Sequence, residues 1–181
     1  APMRNYNLSV SGGSKQTKYS ISGSILDQDG VIINSGYKRY QGRISLNQSL
    51  GKNFKAGINA NYSNLQQSGV NPAATASSAT STLLYSVWGF KPFGSNLINQ
   101  SFDDNVSSAN DYRFNPVINQ ENIVRNNTTN NLAANAFVEY SLTKEIKLKV
   151  SGGINSLIRQ AESFNDTLTS YGNPRLNGNG V

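Results

Sequence analysis

Two neighbouring stretches of the chain alternate strictly between apolar and polar residues. Tyr40, Gly42, Ile44 and Leu46 interleave with Arg39, Gln41, Arg43, Ser45 and Asn47; Phe54, Ala56, Ile58, Ala60 and Tyr62 interleave with Lys55, Gly57, Asn59, Asn61 and Ser63. Successive side chains of a strand point to opposite faces, so each stretch predicts a β-ribbon with one greasy and one hydrophilic side. The same pattern recurs in six segments, residues 5–12, 17–26, 37–50, 54–65, 130–142 and 146–159. Ten residues at roughly 3.3 Å each, tilted by about 40°, rise about 25 Å, the height of the apolar band on an outer-membrane barrel. Phe137 and Leu157 fall on the polar side, a register slip that a channel wall or a bulge tolerates better than a lipid face tolerates a charge.

The connections alternate in length. Residues 13–16, 51–53 and 143–145 form short hairpin turns, whereas 28–36 is longer and 66–129 far longer. Short turns at one end and long loops at the other are the habit of transmembrane barrels, the long loops being extracellular. The predicted fold is all-β: antiparallel up-and-down strands forming part of a transmembrane β-barrel, with one long extracellular loop, and residues 1–181 forming one fragment of that barrel domain. The smallest single-chain barrels have eight strands, and an open sheet in hydrocarbon leaves unpaired backbone groups at several kcal/mol each. Six strands are therefore expected to be a stretch of a longer polypeptide, or a sheet that closes with copies of itself. No signal peptide is expected within these residues, since the first strand starts almost at once after Ala1-Pro2-Met3-Arg4.

Composition fits a barrel. Only 36% of residues are hydrophobic, mean hydropathy is -0.47, and no apolar run approaches the roughly 18 to 20 residues of a spanning helix. A barrel hides its membrane character in alternation. The net charge of +6 does not argue for nucleic acid, because the basic residues follow the wet face and the short turns rather than clustering with stacking aromatics. Lys15, Lys18, Lys52, Lys55, Lys144, Lys147 and Lys149 lie at or near those turns, and Arg39, Arg43 and Arg159 further along the polar face. They suit a hydrated lumen, or contact with anionic head groups or the acidic face of an internal plug.

The sequence offers no enzyme. Without His or Cys there is no Ser-His or Cys-His nucleophile pair and no imidazole or thiolate metal site, so neither catalytic residues nor cofactors are expected. Asp27-Gln28-Asp29-Gly30 has the opening of a calcium loop but lacks its third acidic ligand and closing Glu, and reads as an Asp-Gly turn. Within the long loop, a short helix is expected to start near Asn71-Pro72 and stop near Gly89. Tyr85, Trp88, Phe90 and Phe93 at its end are candidate contacts for a ligand or partner; alternatively Leu84, Trp88, Phe90 and Phe93 pack the loop on itself.

The runs Asn7-Leu8-Ser9-Val10-Ser11-Gly12-Gly13-Ser14, Lys18-Tyr19-Ser20-Ile21-Ser22-Gly23, Asp27-Gln28-Asp29-Gly30-Val31-Ile32 and Ser35-Gly36-Tyr37-Lys38-Arg39-Tyr40 resemble the early barrel of the SusC/RagA family of TonB-linked outer-membrane transporters. Gly69-Val70-Asn71-Pro72, Asn115-Pro116 and Glu139-Tyr140-Ser141-Leu142 are similar to the same region. The likeness implies a 22-stranded barrel in the outer membrane with an N-terminal plug, importing oligosaccharides or peptides with energy from TonB and a SusD-type surface lipoprotein as a lid. Plug and TonB-contacting segment are not in these residues, so contact with TonB is expected through regions outside them. The leading expectation is a barrel-wall segment of such an importer. The competing one is a surface or secreted β-sandwich that binds glycans or adheres, in which Tyr6, Ile21, Ile44, Ile58, Val138 and Leu148 face a second sheet instead of lipid.

Overall fold

The computed structural model describes residues 1–72, 83–90 and 113–174. Six strands follow in chain order: β1 (Met3–Gly13), β2 (Thr17–Asp29), β3 (Gly36–Leu50), β4 (Phe54–Ser68), β5 (Ile123–Ser141) and β6 (Lys147–Asn165). They form one antiparallel up-and-down sheet in which every strand neighbours its sequence neighbour, β1-β2-β3-β4-β5-β6. Among the described residues between β4 and β5 are two short helices, α1 (Leu83–Gly89) and α2 (Pro116–Glu121). All six expected strands are present, and each is longer than the pattern predicts. The largest difference is at β5, which starts at Ile123 rather than residue 130, while β6 runs on to Asn165. Backbone pairing carries these extensions where side-chain alternation fades.

The chain divides into two compact units. One comprises Ala1–Asp29, Tyr37–Gln67 and Asn127–Gln160; the other comprises Gly30–Gly36, Ser68–Asn126 and Ala161–Val181. In the first, hydrogen-bonding side chains close the short turns. Ser14 Oγ accepts from the N–H groups of Gln16 and Thr17, both at 3.1 Å, and Thr143 Oγ1 accepts from Glu145 at 3.2 Å and Ile146 at 3.0 Å. Gly51 has a φ of +70°, a conformation costly for a residue with a Cβ. The Asp-Gly run is no calcium loop: β2 continues through Asp29, and Asp27 pairs with Lys38 at 3.6 Å.

Strand register follows from contacts at each hairpin. Tyr6 faces Ile25, Leu8 faces Gly23 and Val10 faces Ile21. The Thr17–Gln48 hydrogen bond at 2.5 Å and the Lys38–Asp27 pair share one register, which sets Gly23 opposite Gly42 and Ile25 opposite Tyr40. The Ser45–Asn59 bond at 2.6 Å sets Gly42 opposite Tyr62. Ser141 N–H to the Asn53 carbonyl and Gly69 N–H to the Arg125 carbonyl give β4 and β5 the same register at both ends of their pairing. Phe137 is thus no slip at a bulge. It stands on the polar face directly across from Gly57.

The second unit holds the two buried apolar side chains among the described residues, Phe114 at 2% exposure and Ile123 at 9%, and its interior is otherwise polar. Asn115 caps α2, its Oδ1 accepting from Val117 and Ile118 N–H at 3.0 and 3.3 Å, with Pro116 at the first helical position. Buried Asn119 accepts from Ser170 N–H at 3.0 Å, and Asn34 donates to the Gln120 carbonyl at 3.1 Å. Arg125 ties β5 to β6 by donating to Asn165 Oδ1 at 2.7 Å and the Phe164 carbonyl at 3.1 Å. Helix α2 was not expected. Its signal, Asn-Pro at a helix start, is the one used to anticipate a helix at Asn71-Pro72.

Candidate functional site, a two-faced strand wall

The first unit presents two faces of opposite chemistry. On one, apolar side chains stand uncovered along every strand. Leu8 is 76% exposed and Val150 65%, and Tyr6, Ile21, Ile44, Ile58, Val138 and Leu148 are exposed too. Those six are the residues that a sandwich would bury under a second sheet; no such layer lies over them among the described residues. Monomeric water-soluble proteins rarely leave so continuous an apolar surface open.

Aromatic residues mark two levels of this face. Tyr6, Tyr40 and Tyr62 lie toward the long-loop ends of their strands, and Tyr19, Phe54 and Tyr140 toward the short turns. From Phe54 to Tyr62 along β4 is about 26 Å of strand at roughly 3.3 Å per residue. One step beyond Tyr6, Ile25 and Tyr40 the same face turns ionic, with Arg4, Asp27 and Lys38 side by side in register. Tyr62 Oη and Asn64 Nδ2 both donate to Asn130 Oδ1, at 3.2 and 2.6 Å. Transmembrane β-barrels carry an apolar band flanked by aromatic girdles in the same way.

The other face is hydrophilic and basic. It carries Lys18 on β2, Arg39 and Arg43 on β3, Lys55 on β4, and Lys147, Lys149 and Arg159 on β6, against the single acid Glu139 on β5. Amides and hydroxyls link the strands across it: Gln41 donates to Asn61 at 3.1 Å and Ser45 to Asn59 at 2.6 Å. Phe137 rests where a Cβ on Gly57 would clash with it, and Lys149 Nζ lies 4.7 Å from its ring centroid. That ring therefore has the Gly57 backbone and an ammonium group as its company. A polar groove of about 230 Å³ opens between β1 and β3, walled by Asn7, Ser9, Ser22, Ser24, Gln41 and Arg43.

The predicted aromatic contacts divide. Trp88 is 86% exposed on α1, with Leu84, Tyr85 and Val87 exposed beside it, while Ser86 is buried and donates to the Leu83 carbonyl at 2.8 Å. Leu84 and Trp88 are thus exposed rather than packed. Phe90 is half-buried just after the helix, and Phe93 lies outside the described residues, as do residues 73–82, where the helix was expected to begin. The helix does stop at Gly89. Sequence reading missed the groove, whose signal is the pair of small residues Ser22 and Ser24 between long neighbours. No group of His, Cys, Asp or Glu is placed to hold a metal ion among the described residues, and no helix of theirs is long and apolar enough to cross a membrane.

No protein-family model matches the chain. It is similar to TonB-dependent receptor P3 of Formosa agariphila, 28% identical over 164 residues, covering 90% of this chain and 16% of that receptor. A second relative, TonB-dependent receptor P26 of the same organism, is 33% identical over 67 residues, 37% of this chain and 7% of the receptor. The chain thus spans about a sixth of the length of the first relative and matches less of the second. These likenesses relate it to TonB-dependent receptors; they do not single out the SusC/RagA branch.

Proposed function

We propose that this chain is a barrel-wall segment of a TonB-dependent outer-membrane importer of oligosaccharides or other large nutrients. The observation that carries the reading is the uncovered apolar face. Six paired strands leave it bare between two aromatic levels, an arrangement that hydrocarbon around the sheet stabilises. The similarity to TonB-dependent receptors supports the same placement. In this reading the basic, amide-rich face lines a hydrated lumen. The free edges of β1 and β6 pair with further strands of the whole protein, because a spanning sheet in lipid must close. TonB is engaged through regions outside this chain. The SusC/RagA resemblance adds a SusD-type lipoprotein lid, and exposed Trp88 with Tyr85 is the surface proposed to meet lid or nutrient.

Nitroxide labels at Ile44, Ile58, Asn59 and Asn61 of the whole protein in outer-membrane vesicles test the wall. The first two should be reached by dissolved oxygen and shielded from a water-soluble nickel chelate, and the last two should behave in the opposite way. Equal access of the chelate to both faces would place the sheet in water and favour the sandwich adhesin. Import is tested separately, by oligosaccharide uptake that stops when a protonophore collapses the energy supply.

A further inference from the structure

We infer that the groove walled by Ser22, Ser24, Gln41 and Arg43 is a subsite for the anionic substituent, sulfate or carboxylate, of an acidic oligosaccharide. The inference rests on the reading of this face as the lumen of an importer and adds the class of sugar it takes. The groove has a structural origin. Ser22 and Ser24 are neighbours on one face of β2, and the shared register places Arg43 beside Ser22 and Gln41 beside Ser24, with Ser9 and Asn7 on the far side. Two short side chains between longer ones leave a depression of about 230 Å³.

Its chemistry is asymmetric. The lining supplies the forked donors of one guanidinium and three hydroxyls, and contains no carboxylate. Gln41 spends an amide hydrogen on Asn61 and Asn7 one on Asn5, which leaves their carbonyl oxygens to accept from sugar hydroxyls. Arg43 has no ion-pair partner among the described residues, and the one acid of this face, Glu139, is two strands away on β5. A neutral sugar leaves the guanidinium unmatched. A sulfate or uronate group accepts its fork in two parallel hydrogen bonds. The surrounding field reinforces the choice, since seven basic side chains against one acidic concentrate anions along the face. An acidic protein surface would meet this field as well, but the small concave groove with hydroxyl and amide partners suits a single sugar ring better than a broad plug face.

The test uses the whole protein that carries this chain, purified in detergent, with three probes of equal length: a sulfated dextran oligosaccharide, an oligogalacturonate and an unsulfated dextran oligosaccharide. Arg43→Gln should weaken at least one anionic probe roughly tenfold and leave the neutral one unchanged. Arg43→Lys should restore part of the loss, and Ser22→Leu, which fills the groove from β2, should reproduce it with Arg43 intact. Preference for one anionic probe over the other identifies sulfate or carboxylate as the substituent. Equal weakening of neutral and anionic probes, no effect of Arg43→Gln, or no anionic binding by the unmutated protein overturns the subsite. A leak of large antibiotics into cells carrying Arg43→Gln, with oligosaccharide selectivity intact, assigns Arg43 to a plug contact and overturns it too. The wall reading is judged apart, by the label accessibilities, so the subsite can fail while the barrel stands.

Discussion

Phe137 on β5 lies against Gly57 on β4 so closely that the ring fills the place a β-carbon on Gly57 would need. An aromatic ring laid over a glycine on the neighbouring strand restores contacts that the glycine cannot make, and it pins the register of the two strands. Gly57→Val should destabilise the protein by about 1 to 3 kcal/mol through overpacking. Phe137→Ala, at a half-buried position, should cost about 1 to 2 kcal/mol. Because the two residues share one space, the double variant should cost less than the sum of the single ones. Midpoints of heat-induced unfolding in detergent, read from the mobility shift of folded against unfolded barrel, measure all three, and strict additivity would deny the contact.

The two faces of β4 differ in what they tolerate. Ile58 and Ala60 point into the apolar band, so Ile58→Arg and Ala60→Arg should each cost about 2 to 4 kcal/mol near its midplane. Asn59→Arg and Asn61→Arg, one residue along, should be nearly neutral on a face that is already polar. Chemical unfolding of the protein inserted in lipid vesicles gives the comparison. Similar costs on both faces would contradict the bilayer placement.

What the sequence disclosed, and what it hid, follows from how local each signal is. Strands β1 to β4 could be read because period-two alternation and turn residues are properties of a few adjacent positions. The first seven residues of β5 could not, since from Asn126 to Asn131 both faces are polar and alternation vanishes, while the ladder is kept by backbone bonds such as Gly69 N–H to the Arg125 carbonyl. Helix α2 has six residues and no apolar stripe, so only its Asn115-Pro116 cap announced it. The role of Phe137 depends on which residue of β4 it faces, across a long excursion of chain that leaves no trace in local pattern. The wet-face groove was hidden for the same reason: it is built from three strands, and its depth appears only once their registers are fixed.

Asn34 is the described non-glycine residue with a positive φ, +58°. Asparagine tolerates that left-handed conformation better than most residues, and here its side chain also holds the carbonyls of Gln120 and Glu121 at 3.1 and 3.4 Å. Asn34→Gly keeps the backbone geometry and loses the clasp, whereas Asn34→Ala loses both. We expect costs of about 1 kcal/mol for the glycine variant and about 2 for the alanine variant. The loss should be local, so faster hydrogen exchange at Asn119 and Asn122, whose N–H groups bond within α2, is the measurement. An alanine variant no worse than the glycine one would show that the backbone there is unstrained.

Trp88 separates folding from recognition. At 86% exposure it contributes little packing, so Trp88→Ala should change stability by no more than about 0.5 kcal/mol. Yet it stands on α1 with Leu84, Tyr85 and Val87 also exposed, and a large rigid ring in such a patch is the residue type that most often dominates an interface. In the proposed importer its removal should weaken capture of the surface lipoprotein or of nutrient by roughly thirtyfold, the equivalent of about 2 kcal/mol. Tyr85→Ala, less exposed and beside it, should act in the same direction with a smaller effect. Titration of the whole protein with the lipoprotein and with oligosaccharide, each measured separately, shows which of the two α1 meets. Unchanged affinity for both would leave Trp88 a solvated side chain and remove α1 from the binding surface.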